Sequence, residues 1–370
     1  MVLKPPEASW REFDLPGLLV VLCLMAVGTI FVTSATISDP VHLGGRQVLW
    51  DVIALVALLA GLLIPYNIWL EYSYLLLGGC CALLIYLLVL GEPVSGARSW
   101  LQFGLLSFQP SEVAKVAVIL CCANFIKGLS DGTAGFRELL VLWAIVALPM
   151  GLTLAQPDFG TATVFMPIAA TALYATRFSL LKILRWSAVA LALLVLVLAL
   201  GWVTFFKPYQ KERLKAFLDP SYDPLGAGYQ VNQAKIAVGS GELIGKGLYS
   251  GTQNRLSFLP KPHTDFIFGV LSEETGFAGA AIVLALYLTL LGRLLEAARL
   301  ARDPQGRLIA LGVFSMILYH LFVNIGMVLG ILPTTGIPLP FLSYGGSSLL
   351  ANGWAVGLVF NVRMRRYVPE

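Results

Sequence analysis

One short segment concentrates ionisable side chains against an apolar run. The segment Phe258–Gly276 reads FLPKPHTDFIFGVLSEETG, and it holds Lys261, His263 and Asp265 just before an apolar stretch that itself carries two glutamates. Charge is costly beside a hydrophobic span, so such side chains are candidates for function. A carboxylate at this place could act as a general base. It could equally cap a helix that starts at Phe266, by accepting hydrogen bonds from free backbone N–H groups.

Helical projection from this carboxylate leaves the choice open. A stripe of small residues runs below it on one face, with Glu273 beside the stripe and Glu274 on the opposite side. The members of the stripe are Asp265, Gly269, Ser272 and Gly276. Such a stripe is typical of a seam where helices pack, and it would equally suit the floor of a groove.

A second group of ionisable residues lies in the stretch QPSEVAKVAV. Glu112 and Lys115 are three residues apart, so they share one face of a helix and partly neutralise each other. Pro110 and Ser111 supply a helix-start signal, with Ser111 as the expected cap. The pair is either a structural ion pair that joins helices or the charged wall of a polar cavity.

The composition shows which elements must position these residues. The 370 residues are 58% hydrophobic and 12% charged, with a mean hydropathy of +0.80. A soluble domain has about a quarter charged residues, so we predict an all-α, polytopic membrane protein with about ten transmembrane helices in one domain, 1–370, and no nucleic-acid partner. The expected spans are 15–37, 47–64, 71–90, 111–127, 138–155, 162–176, 182–206, 266–292, 308–331 and 346–362.

Cysteine and basic residues refine this topology. All five cysteines fall in apolar spans, which favours neither disulfides nor a zinc site. With the N-terminus placed inside, inner segments hold fourteen Lys and Arg, whereas the short outer loops hold only Arg46 and Arg98. The positive-inside rule therefore predicts cytoplasmic termini. Residues 207–265 then form a long extracytoplasmic loop between the seventh and eighth helices.

Motifs along nearly the whole chain resemble the SEDS family (shape, elongation, division and sporulation proteins). The longest is NIGMVLGILPTTGIPLPFLSYGGSS, residues 324–348. Its parts NIGMVLGILP and GIPLPF are more similar to the elongation branch of the family than to the division branch. The other motifs are GxRxWL at 96–101, QPSExAK at 109–115, AQPDFGTA at 155–162, FLDPxxDPLGxGYQ at 217–230 and HTDFIF at 263–268.

The resemblance implies an activity and a cellular setting. It implies a glycosyltransferase of the bacterial inner (cytoplasmic) membrane that polymerises lipid II into peptidoglycan strands during cell elongation. It also implies a class B penicillin-binding protein as the partner that supplies transpeptidation, and it makes Asp265 the essential carboxylate. Alternatives are a lipid II flippase, a division or sporulation polymerase, and a scaffold that only holds the penicillin-binding protein. Intramembrane charge concentrates toward the outer half, which favours chemistry at the surface over transport.

The implied reaction suits the residue types. A sugar hydroxyl must lose its proton, and a departing pyrophosphate must be stabilised by positive charge. Asp265 is expected to be the general base, or to hold a divalent cation such as Mg²⁺ or Mn²⁺. The candidate substrate-binding residues are Arg46, Arg98, Glu112, Lys115, Arg213, Lys246, Arg255, His263, Thr264, Ser343 and Tyr344. Neither the pattern nor the resemblance assigns a role to Glu273 and Glu274.

Overall fold

The fold is a bundle of long apolar helices, seen in a computed structural model. The structure describes residues 9–37, 42–92, 97–103, 106–127, 136–175, 227–256, 258–259 and 261–366, together with 215 and 217. A 3₁₀ turn, Trp10–Glu12, precedes the first helix. The helices of the first half are α1 (Leu15–Ala35), α2 (Gly44–Leu63), α3 (Tyr66–Glu71), α4 (Ser73–Leu90), α5 (Pro110–Lys127), α6 (Phe136–Ala155), α7 (Phe159–Thr163) and α8 (Phe165–Ala175). Those of the second half are α9 (Ala227–Ser240), α10 (Thr252–Arg255), α11 (Ile267–Leu300), α12 (Pro304–Val328) and α13 (Gly346–Met364).

The multi-pass helical architecture predicted from the sequence is confirmed. Six of the described helices, namely α1, α2, α4, α6, α11 and α12, are long and apolar enough to cross a membrane. Helices α5 and α13 coincide with two further predicted spans. The predicted span 162–176 is instead divided between α7 and α8. The predicted span 182–206 lies outside the described residues, so the total of ten stays a prediction.

A small hairpin interrupts the helical pattern, which the all-α prediction did not include. Strands β1 (Leu101–Phe103) and β2 (Leu106–Phe108) pair antiparallel between α4 and α5, with Leu101 opposite Phe108. Immediately after β2, the backbone N–H of Gln109 donates to Ser347 Oγ at 2.8 Å, which joins the hairpin to the start of α13.

Helix α13 is the central element because nearly all of its residues are buried. It packs closely against α2 through two glycines, Gly353 and Gly357, spaced four apart. A Cβ added at Gly353 would lie 2.4 Å from the carbonyl oxygen of Ala54, and one at Gly357 would lie 2.1 Å from that of Leu58. This GxxxG spacing lets two backbones approach in an apolar environment, where packing drives helix association.

Ion pairs join the helix ends that lie near both termini. Asp14 caps α1 by accepting from the N–H of Gly17 at 3.0 Å. The same carboxylate accepts from Arg293 Nη2 of α11 at 2.6 Å and from Arg363 Nη1 of α13 at 3.2 Å. Asp14 is buried, so its bonds to the two charged arginines are strong, and removing either partner would destabilise the fold.

Helix α11 contains a break at Gly276, where the sequence predicted an uninterrupted span. Gly276 has φ 65° and ψ −164°, a left-handed conformation that side chains with a Cβ rarely adopt. Beside the break, four backbone groups of α11 form hydrogen bonds with the segment 242–247. The N–H groups of Phe277 and Ala278 donate to the carbonyls of Glu242 (2.8 Å) and Leu243 (3.0 Å), while the N–H groups of Lys246 and Gly247 donate to the carbonyls of Glu273 (3.0 Å) and Glu274 (2.9 Å).

Replacing Gly276 should therefore loosen this junction. In Gly276→Ala the added Cβ would lie 2.4 Å from the backbone nitrogen of Gly245 and would force a strained φ. We expect the thermal unfolding midpoint of the detergent-purified protein to fall by several degrees. The matched control is Gly292→Ala in the same helix, where an added Cβ has nothing within 4 Å. Its midpoint should be unchanged or higher, and equal midpoints for the two variants would contradict the assignment.

Candidate functional site

Asp265 lies in a turn just before α11 and is partly exposed. The helix begins at Ile267, and Phe266 occupies the cap position. The expectation that Asp265 caps a helix starting at Phe266 is therefore wrong, because the carboxylate stands one residue too early. Asp265 therefore lies in the turn before the helix, outside its first turn.

Three successive backbone carbonyls hold the segment 263–265 in place. The carbonyls of His263, Thr264 and Asp265 accept, in that order, from Tyr344 N (2.8 Å), Ser343 Oγ (2.7 Å) and Asn324 Nδ2 (3.0 Å). The rings of His263 and Tyr344 also meet edge to face, with centroids 5.9 Å apart. Two distant parts of the chain thus fix the backbone of Asp265, which is the arrangement that a reactive carboxylate requires.

A glycine turn lies beside the carboxylate. Gly336 has φ 75°, and a Cβ added there would lie 3.6 Å from Asp265 Oδ2. The next carbonyl, that of Ile337, accepts from Asn324 Nδ2 at 2.8 Å. One amide therefore connects the Asp265 segment to this turn, and the missing side chain of Gly336 leaves space next to the carboxylate.

The predicted pairing of Glu112 and Lys115 is confirmed. Lys115 Nζ lies 2.9 Å from Glu112 Oε1 and 3.1 Å from Nε2 of His320 on α12. His320 Nδ1 lies 2.8 Å from the carbonyl of Met316, so Nδ1 carries the proton and Nε2 accepts from lysine. All three ionisable side chains are buried, and they connect α5 to α12. This geometry favours the structural ion pair over the cavity wall.

His320 was missed by sequence reasoning, because its partner Lys115 is distant in the chain. The prediction that Ser111 caps α5 is wrong. Helix α5 begins at Pro110, so Ser111 lies inside the first turn and not at the cap. Proline suits the first helical position because the N–H that it lacks would have no helical partner there.

Asp158 is another polar residue that the sequence analysis did not single out as a candidate. It caps α7 by accepting from the N–H of Thr161 at 3.2 Å, and its Oδ2 accepts from Gln109 Nε2 at 2.5 Å. Burial raises the pKa of the Asp158 carboxyl, the hydrogen bonds from Thr161 lower it, and the smaller effects of Glu112 and Lys115 raise and lower it in turn. Its place just before a helix within AQPDFGTA was the signal that could have found it.

Glu273, to which the sequence assigned no role, fixes the segment just before α11 in the chain. Its Oε1 accepts from Lys246 Nζ at 2.7 Å, from the N–H and hydroxyl of Thr252 at 2.8 and 2.9 Å, and from the N–H of Gln253 at 3.1 Å. A buried carboxylate with four such donors is fully engaged in structure. Lys246, predicted to contact phosphate, is thus held by Glu273.

Glu274 makes the complementary connection to the first span. Its Oε1 accepts from Ser34 Oγ at 2.5 Å, and its Oε2 accepts from the N–H of Tyr249 at 3.2 Å. Glu273 and Glu274 together bind one loop from two sides and attach it to the end of α1. We define this loop, residues 241–253, as the clamp loop.

The remaining predicted basic residues do not converge on Asp265 through any described contact. Arg46 lies in the first turn of α2, and Arg98 is exposed, with Nη1 3.4 Å from the carbonyl of Leu88. Arg255 is exposed at the end of α10, and Arg213 lies outside the described residues. Their roles as substrate contacts stay predictions.

A divalent cation has little support from protein ligands alone. Among the described residues there is no cluster of three or more His, Cys, Asp or Glu side chains with metal-binding geometry. Mg²⁺ is commonly held by one or two carboxylates together with substrate phosphates. Asp265 therefore fits a cation only as one ligand of an ion shared with a phosphorylated substrate, and we derive no chemical step from such an ion.

Comparison with known proteins places this geometry in a family. The model of the family described as cell cycle protein, FtsW/RodA/SpoVE, matches residues 15–368. The chain belongs to the FtsW/RodA/SpoVE family. The resemblance drawn from the motifs is thereby confirmed.

Individual members of the FtsW/RodA/SpoVE family are similar over nearly their whole length. The peptidoglycan glycosyltransferase MrdB of Escherichia coli (strain K12) is 39% identical over 358 residues, covering 96% of this chain and 94% of that protein. The peptidoglycan glycosyltransferase RodA of Treponema pallidum is 35% identical, covering 96% of this chain and 98% of that protein.

Two solved structures of similar proteins share the fold. A chain of a peptidoglycan synthase complex, described as coordinating polymerization and crosslinking, matches with a TM-score of 0.81 and 32% identity, covering 97% of this chain and 99% of that chain. The rod shape determining protein RodA of Thermus thermophilus matches with a TM-score of 0.71 and 29% identity, covering 97% and 99%.

Removing the charge of Glu273 should increase the mobility of the clamp loop. In Glu273→Gln, Lys246 loses its ion pair and the N–H groups of Thr252 and Gln253 lose a charged acceptor. We expect faster hydrogen–deuterium exchange at residues 252 and 253, measured by mass spectrometry of peptides from the clamp loop.

The matched control is Glu242→Gln, which removes an exposed carboxylate from the same loop. Exchange in this control should equal that of the unmodified protein. Unchanged protection in Glu273→Gln, or equal acceleration in both variants, would show that Glu273 does not anchor the loop.

Proposed function

We propose that this chain polymerises lipid II into peptidoglycan strands during cell elongation, with Asp265 as the catalytic carboxylate. The curated relatives MrdB and RodA are named peptidoglycan glycosyltransferases, which confirms the predicted enzyme class. The observation that carries the assignment of the site is the fixed segment 263–265. Its three carbonyls are bound by Asn324, Ser343 and Tyr344, while the carboxylate itself stays partly exposed.

The proposed reaction joins two sugars at this carboxylate. Asp265 takes the proton from the 4-hydroxyl of the acceptor sugar as that oxygen attacks the anomeric carbon of the donor. A new carbon–oxygen bond forms, and the bond from the anomeric carbon to the pyrophosphate breaks with its electron pair on the pyrophosphate. The lipid pyrophosphate leaves, and the proton stays on Asp265 until water removes it.

The rigid backbone supports this role for Asp265. A base is effective when it is held within hydrogen-bond reach of the proton that it takes. The bonds from Asn324 to the carbonyls of Asp265 and Ile337 limit the movement of the segment relative to the Gly336 turn. The space beside Gly336 is the proposed place of the acceptor hydroxyl.

The leaving pyrophosphate must be stabilised by positive charge, and two of the predicted basic residues are already paired with glutamates. Lys115 is buried with Glu112, and Lys246 is paired with Glu273. We therefore propose arginines for this task, because a guanidinium binds phosphate oxygens through two parallel hydrogen bonds. Of the predicted residues, Arg46, Arg98 and Arg255 are the arginines that lie in the described part of the chain.

The proposed setting is the bacterial inner membrane, with both termini in the cytoplasm. The excess of Lys and Arg in the inner segments supports this orientation. A class B penicillin-binding protein is the proposed partner. The solved peptidoglycan synthase complex, described as coordinating polymerization and crosslinking, supports such a pairing by similarity.

A divalent cation shared between Asp265 and the pyrophosphate is the other proposed role of this carboxylate. It uses one protein ligand and substrate oxygens, in the manner usual for Mg²⁺. The two roles differ in their response to chelation, so one assay separates them.

The Asp265→Asn protein should insert normally but form no glycan polymer from purified lipid II. The amide keeps the shape of the side chain and cannot accept the proton, so we expect a loss of at least about 10²-fold in rate. Polymer is measured by gel analysis of labelled lipid II, with Mg²⁺, Mn²⁺ or a chelator in parallel reactions. Activity that survives chelation in the unmodified protein would exclude the shared-cation role.

Glu242→Gln is the charge-matched control, since it removes an exposed carboxylate away from the segment 263–265. It should polymerise at the rate of the unmodified protein. Full activity in Asp265→Asn would contradict the assignment of the base. Absence of polymer from the unmodified protein under every cation and partner condition would favour lipid II transport instead.

A further inference from the structure

A pocket of about 550 Å³ lies where α4 begins, α5 ends and α6 begins. Its polar lining comes from Tyr74 of α4, Asn124 and Lys127 of α5, and Arg137 and Glu138 of α6. No sequence motif marks this pocket, and the proposed polymerase reaction does not use it.

The pocket lies at the end of the bundle opposite to the helix start near Glu112. Helix α5 has 18 residues and runs from Pro110 to Lys127, a length of about 27 Å at 1.5 Å per residue. Asn124 of the pocket donates to the carbonyl of Leu70 in α3. The N–H of Tyr66 in α3 donates to Asn361 Oδ1 near the end of α13 at 3.2 Å, so the pocket shares the bundle end where α13 ends. A ligand there is far from the end of α5 that carries Gln109.

The charged lining of the pocket is suited to an anion. Lys127 and Arg137 are both exposed, and Glu138 is the acidic residue in the lining. The Asn124 amide is already committed, since Nδ2 donates to the carbonyl of Leu70 at 2.9 Å and to Ser73 Oγ at 3.3 Å. Lys127, at the C-terminus of α5, also complements the helix dipole. That effect alone explains neither the pocket nor the second basic residue, Arg137 of α6.

Apolar surface borders the same pocket on the outside of the bundle. Val141, which lines it, is 38% exposed, and the neighbouring Leu140 is 52% exposed. On the α4 side, Leu75 is 74% exposed and the ring of Tyr74 is 48% exposed. In a membrane-spanning bundle such residues face acyl chains. The site therefore combines cations at a helix end with an apolar surface directly beside them.

We propose that this pocket binds the phosphate headgroup of an anionic phospholipid, with the acyl chains along α4 and α6. Lys127 and Arg137 contact the phosphate, and the hydroxyl of Tyr74 lies at the level of the headgroup. Basic pockets between transmembrane helices bind anionic headgroups in this way, and tyrosine favours the membrane–water interface. The proposal goes beyond the polymerase reaction and does not depend on it.

The test measures lipid binding to the delipidated full-length protein by native mass spectrometry. The probes are a short-chain phosphatidylglycerol, a phosphatidylcholine of equal chain length, and inorganic phosphate. The unmodified protein should prefer phosphatidylglycerol. The double variant Lys127→Gln/Arg137→Gln should bind it roughly thirtyfold more weakly, the combined effect of two basic residues at an anionic surface.

The charge-matched control is Arg299→Gln/Arg302→Gln. Both arginines are exposed at the same end of the bundle, beside the junction of α11 and α12. The control should bind phosphatidylglycerol within about threefold of the unmodified protein, the size of change expected from screened, distant charges. Equal weakening in both double variants, or none in the pocket variant, would overturn the proposal. Equal affinity for phosphatidylcholine, or binding of phosphate without the lipid, would overturn it as well.

A single variant that is expected to bind at least as tightly guards against weaker binding that comes from misfolding. Glu138→Gln removes the acidic residue of the lining, so it should bind phosphatidylglycerol as tightly as the unmodified protein or more tightly. Weaker binding in this variant would contradict the assignment of the pocket as an anion site.

Discussion

The arrangement of the site depends on the need of four backbone groups at the break in α11 for hydrogen-bond partners. An unpaired N–H or carbonyl in an apolar environment costs several kcal/mol, so a helix can turn at Gly276 only where other groups replace its lost bonds. The backbone of 242–247 forms four such hydrogen bonds at the break. The carboxylates of Glu273 and Glu274, buried at the same place, then bind the clamp loop through side-chain and backbone donors. The break and the clamp loop are therefore one structural unit.

This unit supports the segment that carries Asp265 from one side. The short helical stretch from Ile267 to Gly276 links the break to the turn that carries Asp265, and that turn is fixed at its other side by Asn324 and Ser343. The carboxylate is thus positioned through backbone contacts, and it lies partly exposed beside Gly336. For the proposed reaction, a segment fixed in this way would require little reorganisation on substrate binding, which favours an effective base.

Much of the fold could be predicted from the sequence, because lipid imposes strong local rules. Apolar runs predicted the helices, and the spacing of Glu112 and Lys115 predicted their ion pair. The charge of Asp265 beside an apolar run made it a candidate, but only the motif resemblance made it the essential carboxylate, since its contacts come from residues about 60 to 80 positions away. The break at Gly276 was missed because a glycine in an apolar run is equally common at packing seams. His320 and the partners of Glu273 were missed for a related reason: contacts between distant segments leave no periodic signal.

We propose that Asp265 acts on the reacting atoms and is not needed to hold the substrate. The most direct measurement is the equilibrium affinity of lipid II for the Asp265→Asn protein in nanodiscs, determined separately from turnover. We expect an affinity within about threefold of that of the unmodified protein, a difference of less than 1 kcal/mol. A loss of affinity as large as the loss of rate would contradict it, because Asp265 would then serve binding instead of catalysis.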